Sequence, residues 1–558
     1  MAAKRRREIH RHLPGLHLLP VRPVLESPPH RPVPGRAGRR HLPEGGGNTL
    51  KKRLLPLLLA ALLLALTGCE DLDSTDPLDE LSQFYRQENE QPEPEPLTAF
   101  TLPYVSGETL DPLTTTDLVQ QTVGQLLYEG LFTLNEEFRP EPVLADTYTY
   151  DDDARTWTIT LRSGVMFSDG SALTAQDVAA SLNRARTSPR YGERLRCVTS
   201  VAAWDGTVVI SLSEDAATLP SRLDIPIVKS GTETYTVPTG TGPYMFCKDN
   251  GVAYLSANTY WRQSAALPLQ RIELLHCKDR DSALYAFSSR EIQLLALDLT
   301  AASGTGVSGS GDYTDAPTAV MQFIGVNTRR EALADPALRR ALSAGIDRAG
   351  VVSSCLLGHG LAAQLPASPA ASLYDASLET AYSAANYRQL LSAALGEDAA
   401  PLSLTLLVNQ ENSFKVSAAQ EVAYNLSADD LTVTVEALPW EQFLQRLTDG
   451  EFDLYYGECR LTADWDVSAL AKTNGALNYG GYSSERTDAL LAAALSNTTQ
   501  RSEALTALWR DLLDNAPFLP VCFKATSVLV TEGVVEGLAP TETDVFRHLD
   551  AWRIHLDA

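Results

Sequence analysis

WTITLRSGVMFSDGSALTAQDVAASLNRAR, residues 157–186, carries two different periodicities in thirty residues. Its first part, WTITLRSGVMF, alternates β-branched or aromatic residues with polar ones, the pattern of paired strands, and breaks at Ser163-Gly164. Asp169-Gly170 then supplies a turn, and Thr174 stands as an N-cap before apolar residues at helical spacing. Strands running straight into a capped helix indicate an α/β chain, and the pattern holds outward in both directions. Upstream, AFTLPYV reads as a strand with a turn at Gly107, and Thr114–Leu126 reads as a helix leading into LLYEGLFTL. Downstream, strands dominate from about 207 to 298 (TVVISLS, GVAYLSAN, RIELLHC), up to a Gly/Ser-rich loop at 302–313. Helices follow at DPALRRALSAGIDRAGVVSSCLL, RTDALLAAALS and RSEALTALWRDLL, and strands at LSLTLLVN, LTVTVEAL and FLPVCFKATSVLV. The interleaving is too irregular for one doubly wound sheet, and there is no internal repeat.

The start of the chain has a different character. Lys51, Lys52 and Arg53 precede thirteen apolar residues, Leu54 to Leu66. That run is shorter than the roughly 20 residues a membrane-spanning helix needs, but it suits the h-region of a secretory signal. It ends in Leu66-Thr67-Gly68-Cys69, which resembles the lipobox of bacterial lipoproteins, in which the matching cysteine is acylated and becomes the new N-terminus. Residues 69–97, acidic and Pro-containing, read as a flexible stalk between lipid and body. Residues 1–49, rich in Arg, His and Pro, precede that signal, either as a long n-region or through a mis-chosen start codon, so 1–68 is set aside as leader. The expected location is the outer face of a bacterial cytoplasmic membrane, with Cys69 as the lipid attachment point.

Charge narrows the function. Taking the 13 basic and 3 acidic residues of 1–68 from the chain's 46 and 70 leaves 33 and 67, a formal net charge of −34. Nucleic-acid binding needs a basic footprint, so nucleic acid is not an expected partner. Six cysteines remain after Cys69, none in a CxxC pair, so a zinc site of common spacing is unsupported and no metal or cofactor is expected. Cys247 and Cys277, in neighbouring strand-like runs, are the candidate disulfide, although connectivity is not readable from sequence.

Nine short pieces in order then resemble one family from residue 98 to the end. They are LDP (110–112), YEGL (128–131), PVLADTYTYDDDARTWTITLRSGVMFSDGSALTAQDV (142–178), GTGPY (240–244), ANTYW (257–261), VNTRREALADPALRRALSAGIDR (326–348), TDGEFDLYYGE (448–458), NYGGYSSERTDALL (478–491) and NAPFLPV (515–521). The chain so resembles the extracellular peptide-binding proteins of ABC importers, a group with dipeptide, oligopeptide and nickel-binding members. The resemblance implies a periplasmic-binding-protein-like type II fold, with two main lobes and a smaller inserted lobe around a hinge. Lobe I would comprise 98–135, 233–320 and 520–558; lobe II, the insert, 136–232; lobe III, 321–519. A peptide would be held between lobes I and III and delivered by a monomer to permease subunits in the membrane.

Binding peptides of varied sequence requires groups that read what all peptides share. A buried carboxylate can pair with the α-ammonium through a charge-assisted hydrogen bond. The resemblance places Asp464 in that role, in Cys459-Arg460-Leu461-Thr462-Ala463-Asp464-Trp465-Asp466, with Asp466 as the fallback. The loop departs from the family's pattern in two places: Val467 stands where Pro is common, and Leu461 is nearest to the aromatic that precedes the aspartate. Trp465 is the candidate floor of a side-chain pocket. Glu129 lies where some members contact peptide, and Tyr128 beside it is a further candidate contact whose alternative role is core packing. Arg460 would hold a ligand carboxylate, or pair with Glu458 or Asp453 in a surface network. Gly240 and Gly242 read as structural. Catalysis is not expected: four histidines follow Cys69 and no HExxH or GxSxG occurs. Nickel, oligosaccharide and a peptide-sensing role without transport remain the alternatives.

Overall fold

The computed structural model describes residues 96–301, 311–396, 400–496 and 499–557. Cys69, the stalk up to residue 95 and most of the Gly/Ser-rich loop lie outside them. Three sheets organise the body. Of the expected paired strands in 157–167, Trp157–Leu161 forms one, in a four-stranded antiparallel sheet of Ala145–Asp151, Thr156–Leu161, Thr207–Leu212 and Val198–Trp204, in that order, while Met166 makes only an isolated bridge to Ala172. Trp157, Ile159, Val208 and Ile210 point to one face, where the helix Ala175–Ala185 covers them with Val178 and Leu182. That helix begins as read: Asp177 N–H bonds the Thr174 hydroxyl, and the Asp177 carboxylate accepts from Thr174 N at 2.9 Å, a capping box. The Asp177 carboxylate also accepts from Ser230 N at 2.9 Å, which ties the cap to the chain leaving this sheet.

A second four-stranded sheet pairs Thr101–Tyr104 in parallel with Arg271–His276, followed by Val252–Ala257 and Tyr244–Asp249. It corrects the expected disulfide. Cys247 and Cys277 are free thiols. Their strands are separated by Val252–Ala257, so two inter-strand steps of about 4.8 Å lie between them, beyond the Cα separation a disulfide spans. The helix expected over 114–126 is confined to Leu118–Gly124, capped by Asp117.

The third sheet has seven strands: Leu294–Leu297, Phe518–Thr531, Gly311–Val326, Leu454–Arg460, Leu402–Asn409 and Leu431–Leu438, with Gly360–Ala362 also against Phe518–Thr531. Two crossovers through Ser413–Leu426 and Trp440–Asp449 make its far edge parallel, and two apolar clusters cover it. Gly311–Val326 and Phe518–Thr531 run antiparallel from Gly311↔Thr531 to Gly325↔Phe518, with the register shifting between Pro317 and Met321. The anticipated lobe boundaries at 320/321 and 519/520 both fall inside these two strands. Gly240 and Gly242 are structural for a reason of space: a Cβ on Gly240 would stand 2.0 Å from the Leu127 carbonyl oxygen, and one on Gly242 2.5 Å from the Leu127 carbonyl carbon.

Candidate ligand site

The strand Leu454–Arg460 leaves the seven-stranded sheet into a loop that folds back at Trp465, whose N–H bonds Thr462 O at 2.8 Å and whose φ is +56°. This turn directs Asp464 inward, and its relative exposure is 0%. Its carboxylate meets a short helix, Leu219–Arg222, just beyond the 145–212 sheet. Arg222 Nε donates to Asp464 Oδ2 at 2.6 Å, Thr218 Oγ1 donates to the same oxygen at 2.6 Å, and Thr462 Oγ1 bonds Oδ1. A terminal nitrogen of Arg222 reaches Asp466 Oδ2 at 3.3 Å, and Arg501 donates to the Asp464 carbonyl at 2.7 Å. Burial alone would raise the Asp464 carboxyl; the Arg222 and Arg501 guanidiniums, with the two hydroxyls, more than offset it and hold it below the usual carboxylate range. Asp464 and Asp466 thus share one guanidinium from a distant part of the chain.

The remaining expected residues are placed as follows. Trp465 is 2% exposed and packs edge-on against Phe138 and Phe523, at centroid distances of 5.1 and 5.8 Å. It is part of the core under the loop and does not floor an open pocket. Tyr128 is buried, its hydroxyl donating to Pro238 O at 3.0 Å. Glu129 receives both terminal nitrogens of Arg262 at 2.7 and 2.9 Å, Trp261 Nε1 at 3.2 Å and Thr241 Oγ1 at 3.0 Å. YEGL, GTGPY and ANTYW therefore meet at one carboxylate, whose acceptor capacity internal donors fill. Arg460 pairs with neither Glu458 nor Asp453: its partner is Glu542, near the C-terminus.

Composition and spacing gave no sign of a group of arginines around this seam. The guanidiniums of Arg190 and Arg194 lie 5.0 and 5.4 Å from the centre of the Tyr191 ring, cation–π contacts from one short segment. Arg194 pairs with Asp224, donates to the Arg222 carbonyl at 3.1 Å, and keeps a buried Nε without a partner. Arg190 donates to Pro112 O at 3.3 Å and has no carboxylate within ion-pair reach among the described residues. Burial, together with Arg190, Arg460 and Arg222, pushes Arg194 down to about 10. Burial and then Arg190 do the same for Arg460, also to about 10. Half of the Arg460 side chain, 52%, is nonetheless open. Deeper, Glu458 takes Lys415 at 3.2 Å, Gln322 at 2.9 Å and Lys524 at 3.6 Å, while Lys524 also holds Asp298. Burial would raise Glu458, but Lys524 and Lys415 bring it down to about 2.

Two long antiparallel strands in the seven-stranded sheet, and a buried carboxylate that meets an arginine 242 residues away in sequence, are the geometry against which known proteins are compared. Residues 139–476 match the family described as bacterial extracellular solute-binding proteins, family 5, and the chain belongs to that family, whose members serve ABC importers. Among curated relatives, the glutathione-binding protein GsiB of Salmonella typhi is 26% identical over 449 residues, covering 74% of this chain and 86% of its own. Among solved structures, the periplasmic murein tripeptide-binding protein MppA in an unliganded open form superposes with a TM-score of 0.68 at 20% identity, over 83% of this chain and 99% of that one. The ABC transporter substrate-binding protein CtaP of Listeria monocytogenes gives 0.67 at 19% identity, over 82% and 100%. Type II curled-sheet lobes are thus the fold, and the relatives are binding proteins rather than enzymes.

Proposed function

We propose that the protein captures short peptides at the Asp464 seam and delivers them to an ABC permease. It would act as a monomer anchored through acylated Cys69 on the outer face of the cytoplasmic membrane, with 69–97 as the stalk. The observation that carries the peptide reading is the wholly buried Asp464 carboxylate, whose charged partner Arg222 arrives from 242 residues away. A carboxylate kept ionised inside the protein requires a cation; Arg222 serves between ligands, and a peptide α-ammonium would take its place. The relatives' printed ligands, glutathione and a murein tripeptide, are of the same chemical kind. Calorimetric titration with di- to hexapeptides, free and N-acetylated, tests this reading. Free peptides should bind and acetylated ones should lose the greater part of their affinity, since a charge-assisted hydrogen bond is lost. Equal binding of the two forms would remove Asp464 from the amine-reading role.

A further inference from the structure

The Asp464 carboxylate is aimed by a turn that bulky side chains avoid. Trp465 stands at φ +56°, in the left-handed region that favours glycine. The peptide group joining Asp464 to Trp465 is held in that turn from both ends. Its N–H donates to Thr462 O at 2.8 Å, and its carbonyl accepts from a terminal nitrogen of Arg501 at 2.7 Å. Arg501 opens the helix Arg501–Asn515, whose Leu505, Leu508, Trp509 and Leu512 share one apolar cluster with Leu461 and Trp465. The guanidinium is thus fixed to the core beneath the loop. It makes no ion pair among the described residues, and both loop carboxylates pair with Arg222.

Between ligands the carboxylate is also held from outside its loop, by Thr218 and Arg222, 246 and 242 residues away in sequence. An ammonium that takes the place of Arg222 removes the charged one of these two holds. Asp464 then keeps the Thr218 and Thr462 hydroxyls, and both bond the carboxylate rather than the peptide group behind it. The Arg501 contact holds that peptide group, and it comes from a part of the chain that the exchange leaves alone. We propose that Arg501 is a positioning residue of the ligand site: by pinning the Asp464 carbonyl it keeps the carboxylate turned toward the ammonium that has displaced Arg222. Such a hydrogen bond needs that alignment, because it weakens steeply as its angle closes. This inference rests on the reading of Asp464 as the amine-binding group.

The test separates aim from charge. Taking a positive charge away from Asp464 would by itself favour an incoming ammonium, so a loss of affinity reports lost aim. The parent protein, Arg501→Met and Arg501→Lys are titrated calorimetrically with the same di- to hexapeptides, free and N-acetylated. Arg501→Met should bind free peptides about tenfold more weakly, and acetylated ones, which do not use Asp464, as the parent does. Arg501→Lys, which keeps a charged donor, should recover part of the loss. Should Arg501→Met fail to fold, Arg501→Gln takes its place with the same expectation. Unchanged or tighter binding of free peptides would overturn the inference and leave peptide capture standing. An equal loss for both forms would overturn it too, as general damage to the fold. Equal binding of both forms by the parent, or binding of neither, would remove the amine-reading role of Asp464 and this inference with it.

Discussion

Replacing Arg222 with Met removes the charged group nearest to Asp464 without removing its bulk. The Asp464 carboxylate is 0% exposed, and after the change it keeps the Thr218 and Thr462 hydroxyls and the more distant field of Arg501. Breaking a buried pair from one side costs about 3–5 kcal/mol, because an uncompensated charge is left in the interior. Over a body of roughly 460 residues the unfolding entropy approaches 1 kcal/mol per kelvin, so the melting temperature should fall by about 3–5 °C at pH 7. Asp464→Asn should cost less, since Arg222 keeps Asp466 at 3.3 Å. The pH dependence identifies the cause. In the parent protein the Asp464 pKa lies below its ordinary value of 3.8, so its contribution is present above about pH 4 and is lost as pH falls through the lower folded value. In Arg222→Met the carboxyl has lost its chief charge partner and its pKa rises; the deficit should shrink as pH drops from 7 to 5, where protonation relieves the buried charge. Differential scanning calorimetry at pH 5, 6 and 7, with the double variant Arg222→Met/Asp464→Leu recovering most of the loss, measures this directly. A neutral or stabilising Arg222→Met at pH 7, or a deficit independent of pH, would refute the account of the seam.

Other positions give further outcomes. Burial raises Asp544 to about 6, against 3.8, despite the Phe546 N–H bond. Its ionisation therefore opposes folding increasingly as pH rises from about 4 to 6, and Asp544→Asn, which retains that acceptor, should add up to about 3 kcal/mol at pH 8 and nothing below pH 4 in urea titrations. Trp465→Ala should cost about 3–5 kcal/mol in the same assay, as a core cavity rather than a lost ligand contact. Gly240→Ala would force a Cβ to 2.0 Å from a backbone oxygen and should cost about 3 kcal/mol or more. Gly124→Ala, whose nearest contact would be 3.8 Å in a helix, should instead stabilise by about 0.5–1 kcal/mol.

What the sequence made legible was local or family-wide. The Thr174 cap and the alternation in WTITL are decided within a few residues, and they survive in the structure unchanged. The nine-piece order carried the lobed fold because such pieces mark fixed places in one topology; Glu129 shows why, since three of them share its carboxylate. The family resemblance points to Asp464 by its place after the FDLYYGE strand but not to its partner, because nothing in TLPSRLD announces an arginine that will meet a residue 242 positions on. Arg460 was given the wrong neighbours on the same ground: proximity in sequence favoured Glu458 and Asp453, and the fold brings Glu542 instead. The Cys247–Cys277 pairing failed because adjacency in sequence does not give sheet order, and Val252–Ala257 lies between the two strands. Trp465 looked like a pocket floor because aromatics serve both pockets and cores; only packing against Phe138 and Phe523 separates the two.

Thermal stabilisation by a ligand panel tests peptide capture most directly. The protein is melted with two- to six-residue peptides, free and N-acetylated, with nickel and oligosaccharides as controls. A ligand at a hundred times its dissociation constant stabilises by about 2.7 kcal/mol. The account predicts that shift with free peptides, its loss on acetylation, and none with metal or sugar. A shift with nickel or an oligosaccharide and with no peptide would contradict it.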